Sequence, residues 1–161
     1  MFLNIYNFPH TRIAATEWIM NNIPTGSTIA TEHWDDGMPL YGGEKYLLQE
    51  LTFYDLPDDE NKWKILNEKL AKTDYIIIAS NRLYVPLQRL SDCKKYISCY
   101  PKTSDYYKKL FSGKLGFTKI KEFSAYPTFQ ILNFKFQIND DSADESFTVY
   151  DHPKILIFKR E

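Results

Sequence analysis

Glu32, His33, Asp35 and Asp36 stand in one short stretch where a strand-like run ends, and together they supply carboxylates and an imidazole. Carboxylate and imidazole are ligands for a divalent metal, and an imidazole that titrates near neutrality also serves as a general base. A second polar block, Asp140 to Pro153, adds Asp140, Asp141, Asp144, Glu145, Asp151 and His152. If the two blocks met, His33, Asp35, Asp36 and His152 would form a ligand set with Glu32 as base, the equipment of a metal-assisted hydrolase or transferase. The spacing argues against that set. His33-Trp34-Asp35-Asp36 lacks the helical spacing of a zinc site, and the acidic block does not follow the register of a calcium loop. The simpler reading is a loop held by Asx-turns with Trp34 packed as a lid, and a His152 that begins a strand and hydrogen-bonds the acidic loop. No metal and no cofactor is therefore expected.

Arg82 follows a buried strand, where a guanidinium makes forked contacts with a phosphate or carboxylate; its structural alternative is an ion pair with the acidic block. Lys102, Lys108 and Lys109 read as a solvated face, although lysines interleaved with tyrosines also suit anionic lipid headgroups. The chain carries no Gly-x-Gly-x-x-Gly, phosphate loop, Gly-x-Ser-x-Gly or Cys-x-x-Cys, so nucleotide folds and catalytic triads have no support.

The elements that must position these residues follow from periodicity. Ala15, Trp18, Ile19 and Ile23 place a helix over 11–23, with Thr11 as its cap and Pro24-Thr25-Gly26 as its end. A short strand over 27–31 and a second over 46–54 follow, the latter after Gly42-Gly43. Trp63, Leu66, Leu70 and Ala71 line a helix from Pro57 to Ala71, capped by Asp58. The run Asp74 to Ser80 predicts a central parallel strand covered on both faces. A turn or short helix over 86–90 and a helix over 103–112, stopped by Gly113, precede strands over 117–124, 129–138 and 154–159, the last closing the sheet. The order predicts a single α/β domain over 1–161, a three-layer Rossmann-like sheet mixed with antiparallel C-terminal strands.

The 161 residues are enough for one core without staples, and 20 basic against 21 acidic residues exclude a general electrostatic grip on nucleic acid. The charges are uneven: residues 91–122 hold eight lysines, while 138–151 hold five acids and no base, which predicts faces of opposite sign. Cys93 and Cys99 have a spacing that suits a small closed loop, yet two cysteines make no framework, and both states stay open. Aromatic residues make up 16% of the chain, so some of them should meet a partner, a sugar or a lipid boundary.

Several pieces taken together, His10-Thr11-Arg12, Trp18-Ile19, Asn22-Ile23-Pro24-Thr25-Gly26-Ser27, Glu32-His33-Trp34-Asp35-Asp36, Ser80-Asn81-Arg82-Leu83-Tyr84, the run from Tyr106 to Phe117 and the run from Asp140 to Pro153, resemble a known family. They are similar to the soluble C-terminal part of bacterial multi-pass membrane glycosyltransferases akin to the dolichyl-phosphate-mannose protein mannosyltransferases. The resemblance implies an extracytoplasmic, non-catalytic domain. Its partner would be the membrane-embedded portion of the parent, which would hold the lipid-linked sugar and the catalytic carboxylates, with Met1 as the start of a fragment. Glu32, His33, Asp35, Asp36, Arg82, Asp144, Glu145 and His152 are the matching polar positions. The expected ligand is a glycan or peptide acceptor, with Trp34, Tyr41 and Tyr84 as stacking platforms. A structural module that packs against its parent's membrane helices is the third reading.

Overall fold

In the computed structural model, residues 2–132 and 134–161 are described, so Met1, expected as a fragment start, lies outside them. A 3-10 helix at Phe2–Asn7 leads to α1 (Thr11–Asn22), which buries Ala15 and Ile19 on one face. His10, not Thr11, caps it: its Nδ1 accepts the Arg12 N–H at 3.2 Å. Strand β1 (Thr28–Glu32) follows, then a 3-10 turn at Gly43–Lys45 and β2 (Leu47–Leu51). Gly42, at φ 72°, opens that turn with Met20 so close that any Cβ would collide with its thioether.

Helix α2 (Glu60–Lys72) buries Trp63, Leu66 and Leu70. Asp59 caps it, and Asp58, predicted as that cap, serves elsewhere. Its Oδ2 accepts the N–H groups of Lys102 at 2.8 Å and Thr103 at 3.1 Å, so it caps the helix that begins at Pro101, distant in sequence. After β3 (Tyr75–Ile78) come α3 (Tyr84–Arg89) and α4 (Pro101–Phe111), whose first position is a proline that has no N–H to leave unsatisfied. Cys93 and Cys99 form a disulfide in the intervening loop.

The remaining elements are β4 (Phe117–Phe123), β5 (Thr128–Ile131), β6 (Phe134–Gln137), α5 (Glu145–Thr148) and β7 (Ile155–Arg160). The single strand expected over 129–138 is instead the hairpin β5–β6, a separate two-stranded sheet. Residue 133 within it lies outside the described residues. Each strand alternates apolar and polar residues, and the alternation slips by one residue at Ile131-Leu132, which marks the turn although neither glycine nor proline stands there.

The main sheet is five-stranded and mixed, in the order β2-β1-β3-β7-β4. β1 runs parallel to β2 and β3, and β7 runs antiparallel to β3 and β4. Strand β3 is central as expected, but it is parallel to only one neighbour. Strand β7 does not close the sheet. Ile155, Leu156, Ile157 and Phe158 are all buried, which requires neighbours on both sides, and the more exposed β4 takes the edge. Along β3 successive side chains alternate between two apolar clusters. Ile76 and Ile78 pack with Leu66, Tyr107 and Leu110 from α2 and α4, and Tyr75 and Ile77 pack with Ala15 and Ile19 from α1. Among the described residues no helix is long and apolar enough to cross a membrane.

Candidate functional site

The loops that leave β1 and β3 at their carboxyl ends carry most of the residues selected from sequence. Neighbouring parallel strands deliver both loops to one end of the sheet, where backbone groups no longer needed for the ladder and polar side chains become available to one another.

Asp35 is the hub of the β1 loop, with its side chain 1% exposed. Its Oδ1 accepts from Arg12 Nη2 at 3.4 Å and from the Asp36 N–H at 2.8 Å, and its Oδ2 accepts from Ser80 Oγ at 2.5 Å. Ser80 Oγ in turn accepts the Arg82 N–H at 3.1 Å, so the start of the β3 loop is tied to the β1 loop through one carboxylate. Asp36 places Oδ2 3.1 Å from the same Arg12 guanidinium and remains largely in solvent.

The second polar block reaches this rim through two guanidinium groups. Arg12 Nη1 donates to the Val149 carbonyl at 2.9 Å. Arg82 donates from Nε to Glu145 Oε2 at 3.1 Å, from Nη1 to the Trp34 carbonyl at 3.3 Å and from Nη2 to the Tyr150 hydroxyl at 3.3 Å. Trp34 has φ 77°, a left-handed conformation that costs a bulky residue about 1–3 kcal/mol and concentrates at functional loops. In that conformation its carbonyl meets Arg82 while its indole stays 60% exposed; Tyr150, whose ring centroid lies 5.8 Å from the Arg82 guanidinium carbon, is 72% exposed.

The two imidazoles do not share this site. His33 Nδ1 lies 2.8 Å from Glu50 Oε2 on the neighbouring strand, in a solvent-facing pair, and His33 meets Trp34 edge-on. His152 is buried, with Nε2 2.8 Å from Asp140 Oδ2, beside a cavity of about 20 Å³ that Asn81, Tyr84 and Lys154 also line. The ligand set of the metal reading is therefore divided among Glu50, Asp140 and Arg12. The acidic block is divided as well. Asp140 faces His152, Asp141 faces Lys154 at 2.5 Å, Asp144 caps α5 by accepting from Ser146, and Glu145 pairs with Arg82. Among the described residues no three His, Cys, Asp or Glu side chains are placed to hold a metal ion.

Glu32 is turned inward rather than to the loop. It is buried at the end of β1, where Oε1 accepts from the Tyr107 hydroxyl at 2.5 Å, and Oε2 has no hydrogen-bond partner among the described residues. Burial pushes its pKa up to about 8, with the Asp35 charge adding to the rise and the Tyr107 hydrogen bond opposing it. It lies inside the core, without access to the rim. Tyr84 also departs from expectation. It packs edge-on against Phe111 at 5.2 Å, and burial raises its pKa to about 12, so it is part of the core margin and not a stacking platform. Tyr41 is exposed.

Arg12, Ser80 and Tyr150 hold the site together, although in the sequence they stand inside the family-like pieces without a role of their own. Arg12 had a signal. A cation in the first turn of a helix opposes the helix dipole, so its presence there indicates a specific anionic partner elsewhere.

In comparison with known proteins, no family model, no curated protein and no solved structure matches the chain significantly.

Proposed function

We propose that this chain is a non-catalytic, three-layer Rossmann-like binding domain that presents a glycan or peptide acceptor to a membrane-embedded glycosyltransferase on the extracytoplasmic face. The observation that carries the binding role is the pairing of Trp34 and Tyr150, two exposed aromatic residues fastened to one guanidinium, Arg82. Aromatic faces stack on the apolar faces of sugar rings, and the neighbouring Asp36 and Glu145 carboxylates accept hydrogen bonds from hydroxyl groups.

Three further features support the reading. In open α/β sheets ligands bind beyond the carboxyl ends of strands where the chain order reverses, and the order β2-β1-β3 reverses between β1 and β3, below this rim. The rim offers hydrogen-bonding groups: Glu32 is sealed in the core, His33 and His152 are paired with Glu50 and Asp140, and His10 spends both ring nitrogens on the Arg12 N–H and the Tyr150 carbonyl. The Cys93–Cys99 disulfide suits an oxidising compartment. The link to a glycosyltransferase rests on the sequence resemblance of the two polar blocks.

The test is a titration of the 161-residue chain with oligosaccharides and acceptor peptides, followed by amide chemical shifts. The expected result is millimolar or tighter binding with shifts at Trp34, Asp36, Arg82 and Tyr150, lost in Trp34→Ala. Absence of shifts at any of these residues at millimolar ligand overturns the reading.

A further inference from the structure

The hairpin β5–β6 is amphipathic. Its register pairs Phe129 with Phe136 and Ile131 with Phe134, so these four residues share one face of the ribbon, while Thr128, Gln130 and Gln137 belong to the other. At the base of the ribbon, Thr128 and Gln137 of the polar face border a groove with Ala14 of α1 and with Lys121, Glu122 and Phe123 of β4. The 3-10 helix at Phe2–Asn7 anchors the ribbon, with Asn4 Nδ2 donating to the Thr128 carbonyl at 2.6 Å. The apolar face is turned outward. Phe129 and Phe136 stack at 5.1 Å, Ile131 is 55% exposed, Phe134 68%, and Leu132 at the turn 85%.

We infer that this hairpin docks on a lipid bilayer, with Ile131, Leu132, Phe134 and Phe136 at the boundary between headgroups and acyl chains. Large apolar side chains held outward together gain free energy when they leave water for an apolar boundary. Charge indicates its occupant. Residues 117–138, from the start of β4 through the hairpin, contain Lys119, Lys121 and Lys135 against one carboxylate, Glu122, which pairs with Lys119, so the surroundings of the patch keep a net positive charge that suits anionic headgroups. Area separates a bilayer from a second copy of the chain. Two four-residue strands present a face of about 14 by 10 Å, on the order of 150 Å². A stable protein interface needs about 800 Å² from each partner. A bilayer needs no matching partner surface, and a peptide strand would pair with the ribbon's hydrogen-bonding edge and leave this face open.

The inference does not depend on the acceptor-binding reading, because vesicle binding and oligosaccharide binding are separate measurements that read different residues, Leu132 and Phe134 in the one and Trp34 and Arg82 in the other. The experiment is flotation of the 161-residue chain with vesicles of phosphatidylcholine, alone or with a quarter of phosphatidylglycerol. The expected result is co-flotation, stronger with the anionic lipid, and a loss of about tenfold or more in bound fraction for Leu132→Asp/Phe134→Asp. The Leu132→Trp variant should show a blue shift of tryptophan emission on adding the same vesicles. Wild-type protein that stays in the aqueous fraction, a double variant that floats equally well, or an unchanged Leu132→Trp emission overturns it. Sedimentation velocity without lipid provides the remaining arm: a wild-type dimer that the double variant converts to a monomer assigns the face to a second copy instead. Far-UV circular dichroism of the double variant, whose substitutions sit on exposed positions, separates loss of docking from loss of fold.

Discussion

Arg82, in the loop after β3, donates from Nη1 to the carbonyl oxygen of Trp34, in the loop after β1, at 3.3 Å. The same guanidinium reaches Glu145 and Tyr150, so one side chain joins three segments that lie far apart in sequence. Together with Arg12, which bridges Asp35 and Val149, it fastens the segment around α5 to the parallel end of the sheet.

Replacing Arg82 by alanine should free that segment without unfolding the domain. The Arg82–Glu145 pair is partly exposed, so screening limits its coupling to about 0.5 kcal/mol. The expected outcome is faster amide hydrogen exchange at Trp34–Gly37 and Glu145–Tyr150, with a global melting temperature close to wild type. Unchanged exchange at both segments would show that Arg82 does not hold them.

Glu32 should make stability fall as pH rises. Burial raises its folded pKa to about 8, above the ordinary value of 4.5. Its stabilising contribution is complete below the unfolded value. Between the two values the unfolded chain has lost the proton that the folded protein retains, so stability declines toward the folded pKa by at most about 1.4 kcal/mol per pH unit. Glu32→Gln stays neutral and still accepts from Tyr107. Urea midpoints measured from about pH 5 to about pH 8 should decline more steeply for wild type than for the variant. Parallel curves for the two proteins would contradict the assignment.

Asp58 carries the contact between α2 and α4. Its side chain is 2% exposed and accepts from Trp63 Nε1 at 2.8 Å, Lys62 Nζ at 3.0 Å and Thr103 Oγ1 at 2.8 Å, besides the two backbone N–H groups of α4. Asp58→Ala takes this acceptor from the Trp63 indole N–H, the Thr103 hydroxyl and two backbone N–H groups, while Lys62 keeps the Phe53 carbonyl, and should cost about 3 kcal/mol or more in urea unfolding. Burial alone would raise the Asp58 pKa, but hydrogen bonds from Trp63, Thr103 and Lys62 outweigh it and hold the value below that of an ordinary carboxylate. Its contribution is therefore present above the unfolded value and lost as pH falls through the folded one, so wild type should lose more stability than Asp58→Ala on the acid side.

The Cys93–Cys99 bridge closes a loop with a sequence separation of 6, short enough that loop-closure entropy contributes about 2 kcal/mol. Cys93→Ser/Cys99→Ser should melt several degrees lower than oxidised wild type, and wild type in reductant should match it. Equal melting of all three samples would show that the bridge does not contribute.

Local pattern anticipated the elements whose stability is local or whose burial is continuous. The run Tyr75-Ile76-Ile77-Ile78 has nowhere to go but the centre of a sheet, and Ala15, Ile19 and Ile23 recur at the period of a helix. Asp58 shows where such reading ends. Next to Asp59 it looks like a cap for its own helix, and only the packing of α4 against α2 gives it different donors. His33 and His152 show the same limit. Their residue type is correct for a shared site, but the register of β2 supplies Glu50 to one and the acidic loop supplies Asp140 to the other.

The amino-acid order by itself determined that this would be an α/β domain with two polar segments at element ends, because hydrophobic period and turn chemistry act over a few residues. Tertiary structure decided that β7 enters between β3 and β4, that the polar segments meet through Arg12 and Arg82 and not through their histidines, and that the aromatic hairpin faces outward. Those outcomes depend on which strands are neighbours, and strand order is set by the free energy of the whole core, to which no short stretch of sequence has access.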